Sequence, residues 1–166
     1  MAAFKNNNLK KIKLPDSIKR IDNMAFYNNK LELLKLPKNL EYLGMDVFKG
    51  NNLKELEVPP LKIPVEVYNP GMHPEAFSKI EKLKLGEGTK KFPYLLFTNN
   101  LKNNLTKVKL PDNMEAFDKV EIEKPEGLTP FDGIPLLFEV YERNDKTGGT
   151  YVKKNGEWEK QKKKII

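Results

Sequence analysis

The chain has 166 residues and a formal net charge of +7, with 39% hydrophobic and 32% charged residues. That is room for one ordinary domain or two small ones, and it lacks the unbroken apolar run of ~18 residues that a membrane-spanning helix needs. There is no cysteine, which excludes disulfides, thiolate metal ligands and a thiol nucleophile.

Residues 3–59 state one phrase three times: AFKNNNLKKIKLP, AFYNNKLELLKLP and VFKGNNLKELEVP. Phe4, Phe26 and Phe48 stand 22 residues apart. A fixed period of roughly 20 to 30 residues, with Leu, Ile and Phe at constant phase, is the signature of a solenoid whose turns bury their apolar faces only against each other. Within each copy a short step alternates apolar and polar: Ile12 and Leu14, Leu34 and Leu36, Leu56 and Val58. Period two predicts a strand. Pro15, Pro37 and Pro59 follow directly and end it, because proline cannot donate to a ladder. Between that turn and the next Phe there is space for one short, loosely helical or 3₁₀ piece.

The phase breaks after Pro59. The next Ala-Phe pair is Ala76-Phe77, 29 residues beyond Phe48, and the seven extra residues fall in PPLKIPVEVYNPGMHPE. Residues 61–67 of this insertion read as an extra strand completing the third turn. Further strands are expected around Leu83 and Leu85, around Val108 and Leu110, and at residues 120–122. Strand centres then recur at about 12, 34, 56, 83, 108 and 121, and six rungs about 4.8 Å apart make a stack about 25 Å long. From Lys124 the pattern is lost and EKPEGLTPFDG reads as a linker. LLFEVYER (136–143) alternates as a strand. Asn155-Gly156, between two short alternating runs, is a strong hairpin signal. The expected division is therefore a repeat unit over residues 1–124, with its insertion near 59–75, and a β-rich unit over 125–166 that caps the stack or opens a next domain.

The phrase AFYNNKLELLKLPKNLEYLG resembles the BspA-like type of leucine-rich repeat, known from bacterial surface proteins. The Ala-Phe pair, the Asn three residues on and the L-x-x-L-x-L-P step carry the likeness, which covers about residues 1–122. The glycine of the family pattern appears only at Gly44, and the later copies change length. The resemblance implies an α/β-type repeat fold that is mostly β: a right-handed leucine-rich-repeat solenoid of about six short parallel strands, to which the residues themselves add a small C-terminal β-hairpin unit. It also implies a cell-surface or secreted bacterial protein. Because Met1 is followed at once by a repeat in mid-phase, the chain reads as a piece of a longer one.

Chemistry is sparse. The one histidine, His73, sits in the turn sequence NPGMHPE, and no G-x-S-x-G, H-E-x-x-H, phosphate-loop or dinucleotide motif occurs. No catalytic residue, cofactor or metal is expected, and the protein reads as a non-enzyme. Asn7, Asn29, Asn51 and Asn100 lie three residues after a Phe. They are expected to form a structural ladder, because Asn tolerates left-handed backbone and its amide bonds backbone groups at tight corners. With Ile12 and Leu14 inward, the outward strand positions are Lys11, Lys13, Leu33, Lys35, Glu55, Glu57, Lys82, Lys84, Lys107, Lys109, Lys119 and Glu121. Eight of these are lysine, so the face is a candidate site for an acidic protein or an anionic glycan; the competing reading is a solvated face that discourages aggregation. Nucleic acid is disfavoured, since Arg20 and Arg143 are the only arginines and base recognition leans on that side chain. Tyr68, Met72 and His73 form a candidate contact loop. The function expected is a non-catalytic protein- or glycan-binding module, monomeric and not inserted in a membrane, with adhesion to a host as one use. Alternatives are a structural spacer without a ligand and an intracellular or injected scaffold.

Overall fold

The computed structural model describes residues 2–60, 66–67, 79–90, 104–114 and 134–162. Two sheets run through them. The larger has six strands in the order β2 (Leu33–Lys35), β4 (Glu55–Val58), β6 (Lys82–Leu85), β7 (Lys107–Leu110), β8 (Gly149–Lys154) and β9 (Glu157–Lys160). The smaller has three: β1 (Arg20–Ile21), β3 (Tyr42–Leu43) and β5 (Glu66–Val67). Pairing is parallel from β2 to β7 and throughout the small sheet, and antiparallel from β7 through β9.

The strands form where period two puts apolar side chains on one face. Leu34, Leu56, Leu83 and Val108 stand opposite one another in register, and all are buried. Leu36, Val58, Leu85 and Leu110 are buried two positions further along. Burying one such side chain contributes roughly 1.5–3 kcal/mol, and a single turn has nothing to bury it against except the turns beside it. The Phe corner behaves alike: Phe4, Phe26 and Phe48 stack with centroids 5.3 and 5.6 Å apart and rings within 4° of parallel.

Four expectations change. Residues 11–14 are not a strand, and Ile12 and Leu14 are only half-buried. This copy has a neighbour on one side alone, so half of the burial that flattens the other copies is missing. Second, the piece between turn and Phe is extended rather than helical, as the two-residue strands β1 and β3. An α-helix is about 10 Å across, twice the ~4.8 Å rung spacing; extended chain fits that spacing, whereas helices would splay the rungs. Third, residues 136–143 belong to helix α1 (Ile134–Arg143), not to a strand. Leu137, Phe138 and Tyr141 are buried and Val140 half-buried, the helical i, i+1, i+4 spacing. Pro135 sits in the first turn, where its missing N–H costs nothing, and Glu139 pairs with Arg143 one turn on at 3.4 Å. Fourth, among the described residues the larger sheet has four parallel strands and the small sheet three more; the expected strand at 120–122 lies outside the described residues.

The insertion contributes β5 beside β3, within the stretch read as an extra strand. The Asn155-Gly156 hairpin is present, with φ of 50° and 87°, the paired positive values of a type I′ turn. The hairpin adds to β7, and Val108 faces Tyr151. Helix α1 lies against β9 and is tied to the last described repeat by Tyr141. Its buried hydroxyl donates to the Pro111 carbonyl at 2.7 Å and accepts from the Met114 N–H at 2.9 Å.

Candidate interaction face

The outward side chains of the larger sheet make two rows across the strands. One runs Leu33, Glu55, Lys82, Lys107, Val152, and the other Lys35, Glu57, Lys84, Lys109, Thr150. Parallel pairing in register is what aligns them: neighbouring rows of one strand are two residues apart, and each strand repeats the row beside it. Lys82, Lys84, Lys107 and Lys109 thus stand as a square of four strand positions, two on each of two adjacent strands. Leu33 stands at the edge of the face, 52% exposed.

Carboxylates are woven into this square. Lys82 pairs with Glu55 at 2.5 Å, Lys84 with Glu57 at 3.0 Å, Lys35 with the same Glu57 at 3.4 Å, and Lys109 with Glu87 at 3.9 Å. Burial would raise the Glu57 carboxyl, but the two ammonium groups outweigh it and hold it below its ordinary value. The hydrogen bond to Glu55 raises Lys82 above its ordinary value. Among the described residues Lys107 forms no ion pair, so the uncompensated charge of the face lies on β7. Lys11 and Lys13 are exposed, but on the segment that is not a strand. Lys119, Tyr68, Met72, His73 and Asn100 lie outside the described residues.

Asn29 and Asn51 are corner braces. The Asn29 Oδ1 accepts from the Asn7 and Leu9 N–H groups at 3.1 and 2.9 Å, and its Nδ2 donates to the Phe4 and Phe26 carbonyls at 2.7 and 3.1 Å. Asn51 repeats this one copy on, accepting from Leu31 N–H and donating to Phe26 and Phe48. Left-handed backbone falls one residue earlier than sequence reasoning placed it, at Asn6, Asn28 and Gly50. The glycine of KGNN was the available sign, since glycine adopts that conformation freely. The extension of the face onto Thr150 and Val152 was not legible, because nothing local fixes the register between β7 and β8. Among the described residues no cluster of His, Asp and Glu is arranged to hold a metal.

A model of the BspA-type leucine-rich repeat region matches residues 1–123 as six copies. The chain belongs to the BspA-type leucine-rich repeat family. No curated protein and no solved structure matches it. As a leucine-rich repeat protein it is an interaction or structural repeat module, and BspA-type repeats are generally associated with bacterial surface proteins. Among its described residues no helix is long and apolar enough to cross a membrane.

Proposed function

We propose that this leucine-rich repeat protein is a non-catalytic binding module of a bacterial surface or secreted protein. Its repeats stack as a right-handed solenoid, the C-terminal helix and hairpin close one end, and the outward strand face takes an anionic protein or glycan. The observation that carries this reading is the square of Lys82, Lys84, Lys107 and Lys109, aligned in register on two adjacent strands. Opposite charges laid across such a square are attracted by all four groups at once, and the attraction falls steeply with salt. Absence of catalysis rests on the single histidine and the lack of any nucleophile or acid–base motif.

The test is binding of the folded protein to whole cells and to arrays of glycans and matrix proteins, at low and at physiological salt. Saturable, salt-sensitive binding lost on changing all four lysines to alanine is the expected result. Binding that survives the fourfold change would refute the lysine face.

A second reading, a spacer with no ligand, is favoured by one specific observation: Glu55 and Glu57 already engage Lys82, Lys84 and Lys35. A blank across all partners from a demonstrably folded sample would select it.

A further inference from the structure

The lysines of the strand face differ in what already holds them. On β6, Lys82 meets Glu55 at 2.5 Å and Lys84 meets Glu57 at 3.0 Å. An acidic pair two residues apart on β4 thus neutralises, in register, a basic pair two residues apart on β6. The same basic pair recurs in register on β7 as Lys107 and Lys109. Its other neighbour, β8, sets Val152 opposite Lys107 and Thr150 opposite Lys109, and neither carries charge. Both lysines are exposed. Among the described residues Lys107 has no ion pair, and Lys109 has only the 3.9 Å contact with Glu87, which is 70% exposed. Like charges directly opposite each other on paired strands are unfavourable. The Lys82–Lys107 and Lys84–Lys109 columns therefore leave β7 with charge that its neighbours in the sheet do not offset.

The flanks limit what can settle there. Two strand spacings from β7, about 10 Å, stand Glu55 and Glu57 on one side. At the same distance on the other side is Glu159, opposite Val152 and paired with Lys154. A polyanion laid across the strands would run onto these carboxylates, whereas a single chain laid along β7 would not. We propose that β7 and the hairpin strand β8 together form a binding strip for an extended acidic segment of a partner protein, with carboxylates at positions i and i+2. This rests on the lysine-face reading and narrows it to one pair of lysines and one ligand geometry. Alternate side chains of an extended chain recur about 6.6 Å apart, the step that separates Lys107 from Lys109. Glu55 and Glu57 on Lys82 and Lys84 are the same match made inside this sheet. There the acidic pair arrives on the neighbouring strand. Beside β7 that place belongs to β8, so the segment lies over the face instead. Thr150 supplies a hydroxyl in the row of Lys109, and Val152 an apolar contact in the row of Lys107. The strip is half repeat and half hairpin, since β8 lies beyond the residues 1–123 that the family model matches.

The test titrates the full chain with short extended peptides and follows amide chemical shifts by NMR at fixed ionic strength. The peptides carry Glu-Val-Glu, Glu-Glu-Val or Gln-Val-Gln in one neutral frame, and a heparin oligosaccharide is the fourth ligand. Glu-Val-Glu is expected to bind tightest, with shifts centred on residues 107–109 and 150–152, and Gln-Val-Gln not to bind. Exposed ion pairs are individually weak, so Lys107→Ala with Lys109→Ala should cost about tenfold in affinity. Changing Glu55, Glu57, Lys82 and Lys84 together to glutamine leaves net charge unaltered and should cost less than about threefold. Thr150→Glu keeps both lysines but sets a carboxylate opposite Lys109, and should weaken binding with the thermal midpoint retained. Equal affinity for the two acidic spacings would overturn the strip, as would an equal loss from the glutamine set, and either would leave the lysine face standing. Heparin that displaces the peptide and depends on all four lysines would assign the face to an anionic glycan and overturn the strip. No binding of any of the four ligands to the folded protein would remove the strip and the lysine face together.

Discussion

Asn29 and Asn7 occupy the same place in successive copies and have different energetic weight. Asn29 is 5% exposed and serves five backbone groups on two copies. Asn29→Ala would leave the Asn7 and Leu9 N–H groups and the Phe4 carbonyl without partners, whereas the Phe26 carbonyl keeps its bond from Asn51; the expected loss is about 2–4 kcal/mol at a cost of about 1–3 kcal/mol for each buried orphan, part of which water recovers at the corner. Asn7→Ala should cost under about 0.5 kcal/mol. Urea unfolding of the two variants checks this, and equal losses would refute the brace. Gly44 is the second such position. A Cβ there would lie 2.5 Å from both the backbone nitrogen and the Oδ1 of Asn23, which itself accepts from the Met45 N–H. Gly44→Ala should therefore destabilise by about 1–3 kcal/mol through overpacking, with a lower urea midpoint at unchanged slope. The lone family-pattern glycine stands where the preceding copy comes too close for any side chain.

At the scale of elements, the helix–hairpin unit depends on two tyrosines. Tyr141→Phe would strand the Pro111 carbonyl and the Met114 N–H in the interior, for an expected loss of about 1–3 kcal/mol, read by chemical denaturation. Tyr151 is fully buried and donates to the Thr147 carbonyl at 2.8 Å. Burial pushes its pKa up to about 12, against an unfolded value near 10. Its folded value is the higher, so the associated stability is intact below about pH 10 and drains away as pH rises toward about 12. Lysines lose charge in the same window, so the check is a comparison: Tyr151→Phe should flatten the decline in stability between about pH 10 and 12 relative to the parent. An identical decline would assign it to the lysines. The helix itself was misread because LFEVYER fits period two over a short run. Pro135, the Glu139–Arg143 spacing and the pair Leu137 and Tyr141 argue for 3.6, and the packing of Leu137, Phe138 and Tyr141 into the interior decides between them.

Across the whole molecule the charges on the sheet face work as a network rather than a row. Glu57 binds Lys35 and Lys84 from the strands on either side. Its folded pKa is the depressed one, so its stabilisation is present above the unfolded carboxylate range near 4.3 and is lost as pH falls through the folded value. Glu57→Gln should lessen the acid-side loss of stability, measured by unfolding at pH 3 to 6, and should at the same time raise affinity for a polyanion by unmasking two lysines. An acid profile matching that of the parent would mean that Glu57 is not coupled to folding.

The sequence alone determined the repeat, its period, the inward columns at Leu34, Leu56, Leu83 and Val108, the outward positions of Lys35, Lys82, Lys84, Lys107 and Lys109, and the Asn-Gly hairpin. These rest on local spacing: period two fixes which side of a strand a residue faces, and a constant repeat length carries that choice from one copy to the next. Tertiary structure decided the rest. The extended state of residues 20–21 and 42–43, the loss of the strand at 11–14 and the pairing of β8 with β7 depend on what lies beside each segment, which spacing along the chain does not encode. The same holds for the lysine face: its residues were legible, but their partial neutralisation by Glu55 and Glu57 required the register that sets each carboxylate against the next strand's ammonium.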